Sequence, residues 1–439
     1  MEVTQSVERF PRDNTARIGS IGRNAGHGLR PDFSATGVAM DKKCDMLNHL
    51  INRTMAARMP QKGLAMQFQM HTSIRIMDSF DEFVKACNVG EGDLILTNEY
   101  VLDPALNGAE PPCTVIYQEK FGAGEPNDEM IDGVLNAAGD RKIDRVIAIG
   151  GGTIIDIAKL LVFGSGHSCK KLFLDGKNLP KARKLIAIPT TCGTGSEVTN
   201  ISIAEIRSLH TKMGLVCPQL FPDEAVLIPA MLKTLPYGVF ATSSIDALIH
   251  AVEAFVSINA TPYTEAFAAA AIERILPAYQ KVVASGNDRA VLMDCMRDFL
   301  IASNMAGLAF GSAGCGAVHA LSYPIGANFH VPHGQANYLL FSACFRMYAR
   351  KRADLSRVEA KIAGVLGVER ARVWEELEQL LDRILARKPL EAFGMTAEQL
   401  NAFPATVLKT QQRLLGNMPV QLSEEDIRAI YAECMEGKY

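Results

Sequence analysis

RVIAIGGGTIIDIAKLLVF, at residues 145–163, has the pattern of an apolar strand, a triple-glycine turn and a helix. Three further apolar runs have the length of buried strands: GDLILTN at 92–98, CTVIYQEKF at 113–121 and KLIAIPTT at 184–191. PNDEMIDGVLNAAG at 126–139 shows the apolar spacing of a helix between them. Buried strands that alternate with helices predict a parallel sheet covered on both faces.

The chain on either side of this α/β pattern differs from it. After about residue 232, apolar residues recur with helical spacing almost without interruption, which predicts an all-helical domain over 231–439 beside an α/β domain over 66–230. Residues 1–65 carry ten basic and six acidic residues and show no lasting apolar period. We expect them to be a poorly ordered extension with a short amphipathic helix at 41–59.

The composition excludes several classes of function. The net charge of −3 offers no general attraction to nucleic acid or to an anionic membrane. No run of the sequence approaches the ~20 consecutive apolar residues of a membrane span. The ten cysteines are scattered with no CxxC pair, which is typical of a reduced protein, and we expect a cytoplasmic location.

The triple glycine is a candidate phosphate site, because adjacent glycines and the N-terminus of the next helix suit a pyrophosphate. The alternative is a purely structural turn in which Thr153 caps the helix and Asp156 completes a variant of the capping box. TTCGTGSE at 190–197 follows the next strand, at the same carboxyl edge of the sheet. Since open α/β sheets bind ligands at that edge, the pair of turns favours a nucleotide site.

Four side chains in the helical half indicate a metal site. Asp246 and His250 share one face of a helix, although a simple hydrogen bond between them is the alternative. His319 and His333 follow in a stretch whose prolines and glycine are expected to break the chain between them. Three imidazoles and one carboxylate suit a divalent transition metal such as Fe²⁺ or Zn²⁺.

In this order, the motifs resemble those of the iron-containing, or group III, alcohol dehydrogenases. The resemblance covers roughly residues 70–439. It rests on GGGTIIDIAK at 150–159, TTCGTGSEVT at 190–199, DALIHAVEAFVS at 246–257 and HALSYPIGANFHVPHG at 319–334. It implies the dehydroquinate synthase-like architecture: an α/β dinucleotide-binding domain with a parallel sheet, an all-helical metal-binding domain, and an active site in the cleft between them.

The resemblance also implies which residues form the site. The metal ligands are expected to be Asp246, His250, His319 and His333. The residues expected to bind the dinucleotide, NAD or NADP, are Asn98, Gly151, Gly152, Thr153, Asp156, Thr190, Thr191, Thr194 and Lys212.

This chain departs from the family pattern at two places in the site. Tyr323 stands where the family often has a second histidine, so Tyr323 or His330 is expected to take over its role in positioning or proton transfer. Asn98 stands where an aspartate commonly contacts the adenosine ribose. With no carboxylate expected there to repel a 2′-phosphate, the choice between NAD and NADP stays open.

The resemblance implies a metal-dependent transfer of hydride between a primary alcohol and the nicotinamide, in a homo-oligomer. Three blocks are most similar to the members that convert 4-hydroxybutyrate to succinate semialdehyde: MQFQMHTSIRIMDSFDEF, FGAGEPNDEMI and ALSYPIGANFHVPHG. His330 is a candidate for binding the substrate's distal carboxylate, with a packed or solvent-facing histidine as the alternative. Other candidate functions are a dehydrogenase of a diol or simple alcohol, a dehydroquinate synthase-like lyase, and a non-catalytic binding module.

Overall fold

The computed structural model describes residues 67–207 and 211–437, and the predicted extension with its 41–59 helix lies outside them. In chain order the strands are β1 (Ser73–Ile76), β2 (Asp93–Thr97), β3 (Thr114–Tyr117), β4 (Arg145–Gly150), β5 (Lys184–Pro189), β6 (Ile201–Ile206), β7 (Thr211–Val216) and β8 (Glu224–Leu227). Six of them form a parallel sheet in the order β1-β8-β5-β4-β2-β3, while β6 and β7 form a separate antiparallel hairpin.

Five helices lie between these strands: α1 (Phe80–Ala86), α2 (Glu99–Leu106), α3 (Asp128–Ala138), α4 (Gly152–Leu161) and α5 (Cys169–Asp175). Ser79, Asn127 and Ser168 start α1, α3 and α5, because each side chain accepts a hydrogen bond from a backbone N–H in the first turn. The predicted parallel sheet with interleaved helices is therefore confirmed.

Two local predictions in this half are wrong. The strand predicted over 113–121 ends at Tyr117, and Gln118–Phe121 form a 3₁₀ turn instead. Thr153 does not cap the helix after the glycine turn, because α4 already begins at Gly152 and Gly151 takes the N-cap position without a side-chain hydrogen bond. The capping-box interpretation of Thr153 and Asp156 fails for the same reason.

No strand follows β8 within the described part of the chain. Ten helices make up this half: α6 (Tyr237–Val256), α7 (Pro262–Ala284), α8 (Arg289–Ala313), α9 (Ala317–Phe329), α10 (His333–Arg350), α11 (Ser356–Leu366), α12 (Val373–Ile384), α13 (Ala397–Thr410), α14 (Gln412–Leu415) and α15 (Glu424–Met435). Pro324 was expected to break the chain but lies inside α9. Leu321 and Ile325 beside it are fully buried, and the Tyr431 hydroxyl donates to the Leu321 carbonyl oxygen at 2.6 Å.

The two faces of the sheet belong to different hydrophobic cores. Leu94, Val146 and Leu185 pack with α3, α4 and α5 on one face. Ile95 and Ile188 point to the other face, where they share one continuous core with α1, α2 and the long helices of the C-terminal half. Alternate residues of each strand therefore join different layers, as the pleat requires.

Helix α6 is long and apolar enough to cross a membrane, with a mean hydropathy of 1.4, but 72% of its apolar window is buried inside the protein. Helices α8 and α9 are long and apolar enough to cross a membrane only when they are taken together, and the chain bends by 104° between them. Asp246, His250 and Glu253 interrupt its apolar residues, so α6 holds no run of ~20 consecutive apolar residues. A helix at the centre of a large core is apolar on most sides, and this is enough to give it the mean hydropathy of a membrane-spanning helix.

Candidate metal and dinucleotide site

The four predicted metal ligands converge at one point. Asp246 and His250 come from successive turns of α6, His319 comes from the first turn of α9, and His333 begins α10. One potential ligand atom from each of the four lies within 4.8 Å of those of the other three. Three of these residues are buried, and His333 is exposed. The group is therefore held in the protein interior and opens to solvent on the His333 side.

Distances within the group favour an ion over direct hydrogen bonds. Asp246 Oδ2 lies 3.9 Å from His250 Nδ1, and Asp246 Oδ1 lies 3.6 Å from His319 Nε2. Both separations exceed a hydrogen bond, so the alternative of a simple Asp246–His250 hydrogen bond is wrong. Nε2 of His319 is buried and has no hydrogen-bond partner among the described residues. A buried ring nitrogen aimed at a carboxylate and further imidazoles fits a divalent metal ion.

Glu253 orients one of these rings, and the sequence analysis missed it. Its carboxylate accepts from His319 Nδ1 at 2.5 Å and from the Val318 N–H at 2.8 Å. With Nδ1 carrying the proton, Nε2 of His319 keeps its lone pair for a metal. Glu253 follows His250 by three residues on α6, so helical spacing could have identified it as a residue on the face of the site.

Two residues of α10 hold the other ligands in place. Asn337 Nδ2 donates to Asp246 Oδ1 at 2.7 Å and lies 3.2 Å from His333 Nε2. Gly334 packs so closely on α6 that a Cβ there would lie 2.1 Å from the Thr242 carbonyl oxygen. Only a glycine after His333 lets α10 approach α6 closely enough for His333 to reach Asp246.

The electrostatics of the group suit a cation. Burial lowers the pKa of His250 to about 3, so its ring is neutral at neutral pH. Burial opposes ionisation of Asp246, but the three neighbouring imidazoles and Asn337 hold the pKa of this carboxyl below its usual value. Burial likewise favours the neutral form of His319, whereas Cys315 and Glu253 raise its pKa, so a metal ion would compete with a proton there.

The two glycine-rich turns lie side by side at the carboxyl edge of the sheet. The Thr190 N–H donates to the Gly150 carbonyl oxygen at 3.0 Å, at the ends of the paired strands β4 and β5. Thr153, in the first turn of α4, donates from its hydroxyl to the Gly124 carbonyl oxygen at 3.3 Å. The N-terminus of α4 therefore lies at the same edge of the sheet as the second turn, the one at 190–197. Free N–H groups at a helix N-terminus can bind an anion such as a phosphate.

The two turns pack tightly against each other at both glycines. A Cβ on Gly151 would lie 3.1 Å from Thr191 Cγ2, and one on Gly152 would lie 2.8 Å from Thr194 Cγ2. The methyl groups of the second turn thus occupy the space that side chains of the first would need. The backbone of the first turn stays bare, which suits close approach of a pyrophosphate.

Asp156, on α4, forms hydrogen bonds that connect this helix to the second turn and to β6. Its Oδ1 accepts from the Ser196 hydroxyl at 2.6 Å, and its Oδ2 accepts from the Ile203 N–H at 3.0 Å. Lys159, fully buried, donates to the Ser196 hydroxyl and the Ile201 carbonyl oxygen, each at 2.6 Å. The structure therefore places Asp156 in a supporting network, and Lys159 is a member that sequence reasoning missed.

The expectation that no carboxylate lies near Asn98 is wrong. Asn98 follows β2 and donates from Nδ2 to Glu119 Oε2 at 2.9 Å. Glu119 belongs to the 3₁₀ turn after β3, the strand next to β2. The carboxylate thus reaches this edge from the neighbouring strand, a contact between strands that spacing along the chain does not reveal.

The remaining predicted residues lie in different surroundings. Lys212, on β7, forms an ion pair with Glu125. Tyr323 is half-buried, with its ring 6.3 Å from that of His333 between centroids, and burial raises the pKa of its hydroxyl. His330 is exposed at the C-cap of α9 in the left-handed conformation, with φ of 53°. Tyr323 thus adjoins the four predicted ligands, whereas His330 lies at the end of its helix.

Comparison with known proteins agrees with this arrangement. The model of the iron-containing alcohol dehydrogenase family matches residues 80–229, and that of the Fe-containing alcohol dehydrogenase family, C-terminal, matches residues 240–435. The 4-hydroxybutyrate dehydrogenase of Clostridium kluyveri is 48% identical over 356 residues, which cover 81% of this chain and 95% of that protein. Long-chain-alcohol dehydrogenase 1 of Geobacillus thermodenitrificans is 38% identical over 71% of this chain and 80% of its own length.

Superposition on a solved structure supports the same fold. Sulfoacetaldehyde reductase from Bifidobacterium kashiwanohense, in complex with NAD⁺, superposes with a TM-score of 0.74 at 23% identity and covers 85% of this chain and 100% of its own. The parallel sheet, the helical half, both family models and the identity to curated relatives lead to one conclusion. The chain belongs to the iron-containing alcohol dehydrogenase family, whose members are oxidoreductases acting on alcohols with NAD(P).

Proposed function

We propose that this chain interconverts 4-hydroxybutyrate and succinate semialdehyde with NAD as the hydride carrier, NADP being the alternative. The observation that supports this choice of substrate is the 48% identity to the 4-hydroxybutyrate dehydrogenase of Clostridium kluyveri, which extends over 95% of that protein. A match of this length includes both the glycine turns and the four converging ligands.

The metal in this proposal is Fe²⁺, with Zn²⁺ as the alternative, held by Asp246, His250, His319 and His333. When bound, such an ion acts as a Lewis acid on the substrate oxygen. The chain's own part is orientation: Glu253 keeps the proton of His319 on Nδ1, and the Asn337 amide fixes one oxygen of Asp246.

The sheet half brings the nicotinamide to this point. The bare backbone of Gly151 and Gly152 and the N-terminus of α4 would hold the pyrophosphate. Thr190, Thr191 and Thr194 in the second turn would border the nicotinamide. The Gly193 carbonyl oxygen in the same turn lies 3.2 Å from His250 Nδ1. That contact links the dinucleotide turn directly to the metal group. It holds the second turn against α6, so a nicotinamide bound by the turns would lie beside the four predicted ligands.

Two further side chains take roles around the substrate. Tyr323, beside His333, is the candidate for accepting or relaying the hydroxyl proton, with His330 as the alternative. His330, three residues before His333, is also the candidate for binding the distal carboxylate of 4-hydroxybutyrate. Its exposure at the end of α9 leaves the ring accessible to a ligand.

A substrate comparison tests the proposal. The full chain, loaded with Fe²⁺ or Zn²⁺, is assayed for NADH formation with 4-hydroxybutyrate, 1-butanol and a diol. We expect kcat/KM to be highest for 4-hydroxybutyrate and the acid preference to fall in His330→Ala. His319→Ala should lose both bound metal and turnover. Equal kcat/KM for 4-hydroxybutyrate and 1-butanol would contradict the proposed substrate. Turnover by a metal-free His319→Ala variant would contradict the metal-dependent mechanism.

We also propose that the protein is cytoplasmic, in a reducing environment, because the nine cysteines of the described residues are all free thiols.

We further propose that the protein is a homo-oligomer. Light scattering of the purified chain tests the oligomer, and a scattering mass equal to the sequence mass would overturn it.

A further inference from the structure

Glu119 is held at the carboxyl edge of the sheet by two hydrogen bonds. Its Oε2 accepts from Asn98 Nδ2 at 2.9 Å, and its Oε1 accepts from the Glu99 N–H at 2.6 Å. Both donors lie immediately after β2, so the end of one strand fixes a carboxylate carried by the turn after its neighbour. The Glu119 side chain is half-buried, which leaves part of the carboxylate open to a ligand.

This carboxylate lies beside the strand that carries the glycine turn. β2 pairs with β4, and the Thr97 hydroxyl donates to the Ile149 carbonyl oxygen at 2.7 Å, one residue before Gly150. In dinucleotide-binding sheets, an acidic group at the end of the strand next to the glycine turn accepts the ribose 2′-hydroxyl of NAD. The side chain at the end of β2 here is an amide, whereas Glu119 supplies a carboxylate at the same place.

The Asn98 amide has no donor left for a phosphate. Its Nδ2 carries two N–H groups, and these donate to Gln118 Oε1 at 3.2 Å and to Glu119 Oε2. Its Oδ1 accepts from the Tyr100 hydroxyl at 3.2 Å. The adjacent cation, Lys120, lies over the Tyr117 ring, 5.0 Å from its centroid. Asn98 thus acts as a support for Glu119.

We propose that Glu119 selects NAD over NADP in this chain. Its carboxylate accepts a hydrogen bond from the ribose 2′-hydroxyl and repels a 2′-phosphate by like charge. The inference rests on the dinucleotide site of the proposed function and adds the residue that discriminates between its two candidate cofactors.

Binding measurements without any alcohol test this role. Dissociation constants of NADH and NADPH are obtained by nicotinamide fluorescence for the wild type, Glu119→Gln, Glu119→Ala and the matched control Glu99→Gln. Glu99 is an exposed carboxylate on the same edge. We expect the wild type to prefer NADH and both Glu119 variants to lose roughly tenfold or more of that preference. Glu99→Gln should keep it, and thermal melting verifies that each variant is folded.

The outcomes separate this inference from the substrate proposal. Equal affinity of the wild type for NADH and NADPH, or an unchanged ratio in folded Glu119→Gln, would overturn the role of Glu119. An equal loss in Glu99→Gln would also overturn it, by showing a general effect of charge. A wild type that prefers NADH but shows no preference for 4-hydroxybutyrate would overturn the substrate alone.

Discussion

At the scale of single residues, Glu253 shows how one side chain unites two parts of the site. It lies on α6 with Asp246 and His250, yet its carboxylate contacts the ring and backbone at the start of α9. At 2% exposure, this contact is shielded from water, so its hydrogen bonds are stronger than surface ones. The ring of His319 is therefore oriented by the helix that supplies two of the other ligands.

Glu253→Gln should weaken metal binding by about 10- to 100-fold, because Gln keeps the volume but loses the charge that holds the His319 tautomer. Metal content after dialysis against graded Fe²⁺ or Zn²⁺ measures the change. Glu273→Gln is the control, since Glu273 forms a surface ion pair with Lys361 on another helix. Unchanged metal affinity in Glu253→Gln would show that the carboxylate does not act on the ligand.

At the scale of elements, the approach of α10 to α6 depends on Gly334. The first residue of α10 is a predicted ligand, and the second is pressed against the Thr242 carbonyl oxygen. The backbone of both helices is involved, so neither partner can move aside as a flexible side chain would.

Gly334→Ala should therefore destabilise the protein by about 1–3 kcal/mol and lower its metal content, because the added methyl group forces the helices apart. Chemical denaturation and metal analysis measure the two effects. Gly364→Ala is the matched control. Gly364 lies within α11, and no atom of the described residues lies within 4 Å of the position that a Cβ would take, so alanine should stabilise slightly. Equal free energies of unfolding and equal metal content in both variants would contradict the role of Gly334.

The sequence predicted elements better than the contacts between them. Strand β4, the glycine turn and α4 follow from a local apolar period and three glycines, and the structure has them within two residues of the expected bounds. Pro324 misled the prediction, since a proline lowers helix propensity locally, whereas burial of its neighbours stabilises α9. Glu119 beside Asn98 was not predictable, because register between strands is a tertiary property.

At the scale of the whole molecule, one hydrophobic core joins one face of the sheet to the helical half. Ile95, Ile149 and Ile188 of the sheet belong to the same cluster as Ile249 and Val252 of α6. The helix that carries two predicted metal ligands is therefore anchored in the core that also contains the strands bearing the glycine turns.

Because this core is shared, both halves should unfold in one calorimetric transition. Ile188→Ala, at a fully buried position, should lower the free energy of unfolding by about 2–4 kcal/mol while keeping that single transition. Differential scanning calorimetry measures both features. Two separate transitions in the wild type or the variant would contradict a shared core.

The convergence of α6, α9 and α10 has one more consequence. An ion shared by Asp246 and His333 would tie together two distant points of the polypeptide. It would then behave as a reversible crosslink, closing a large loop that the denatured chain leaves open. Such a link makes resistance to heat depend on metal supply, so chelation would reduce the protein's lifetime as well as its catalysis.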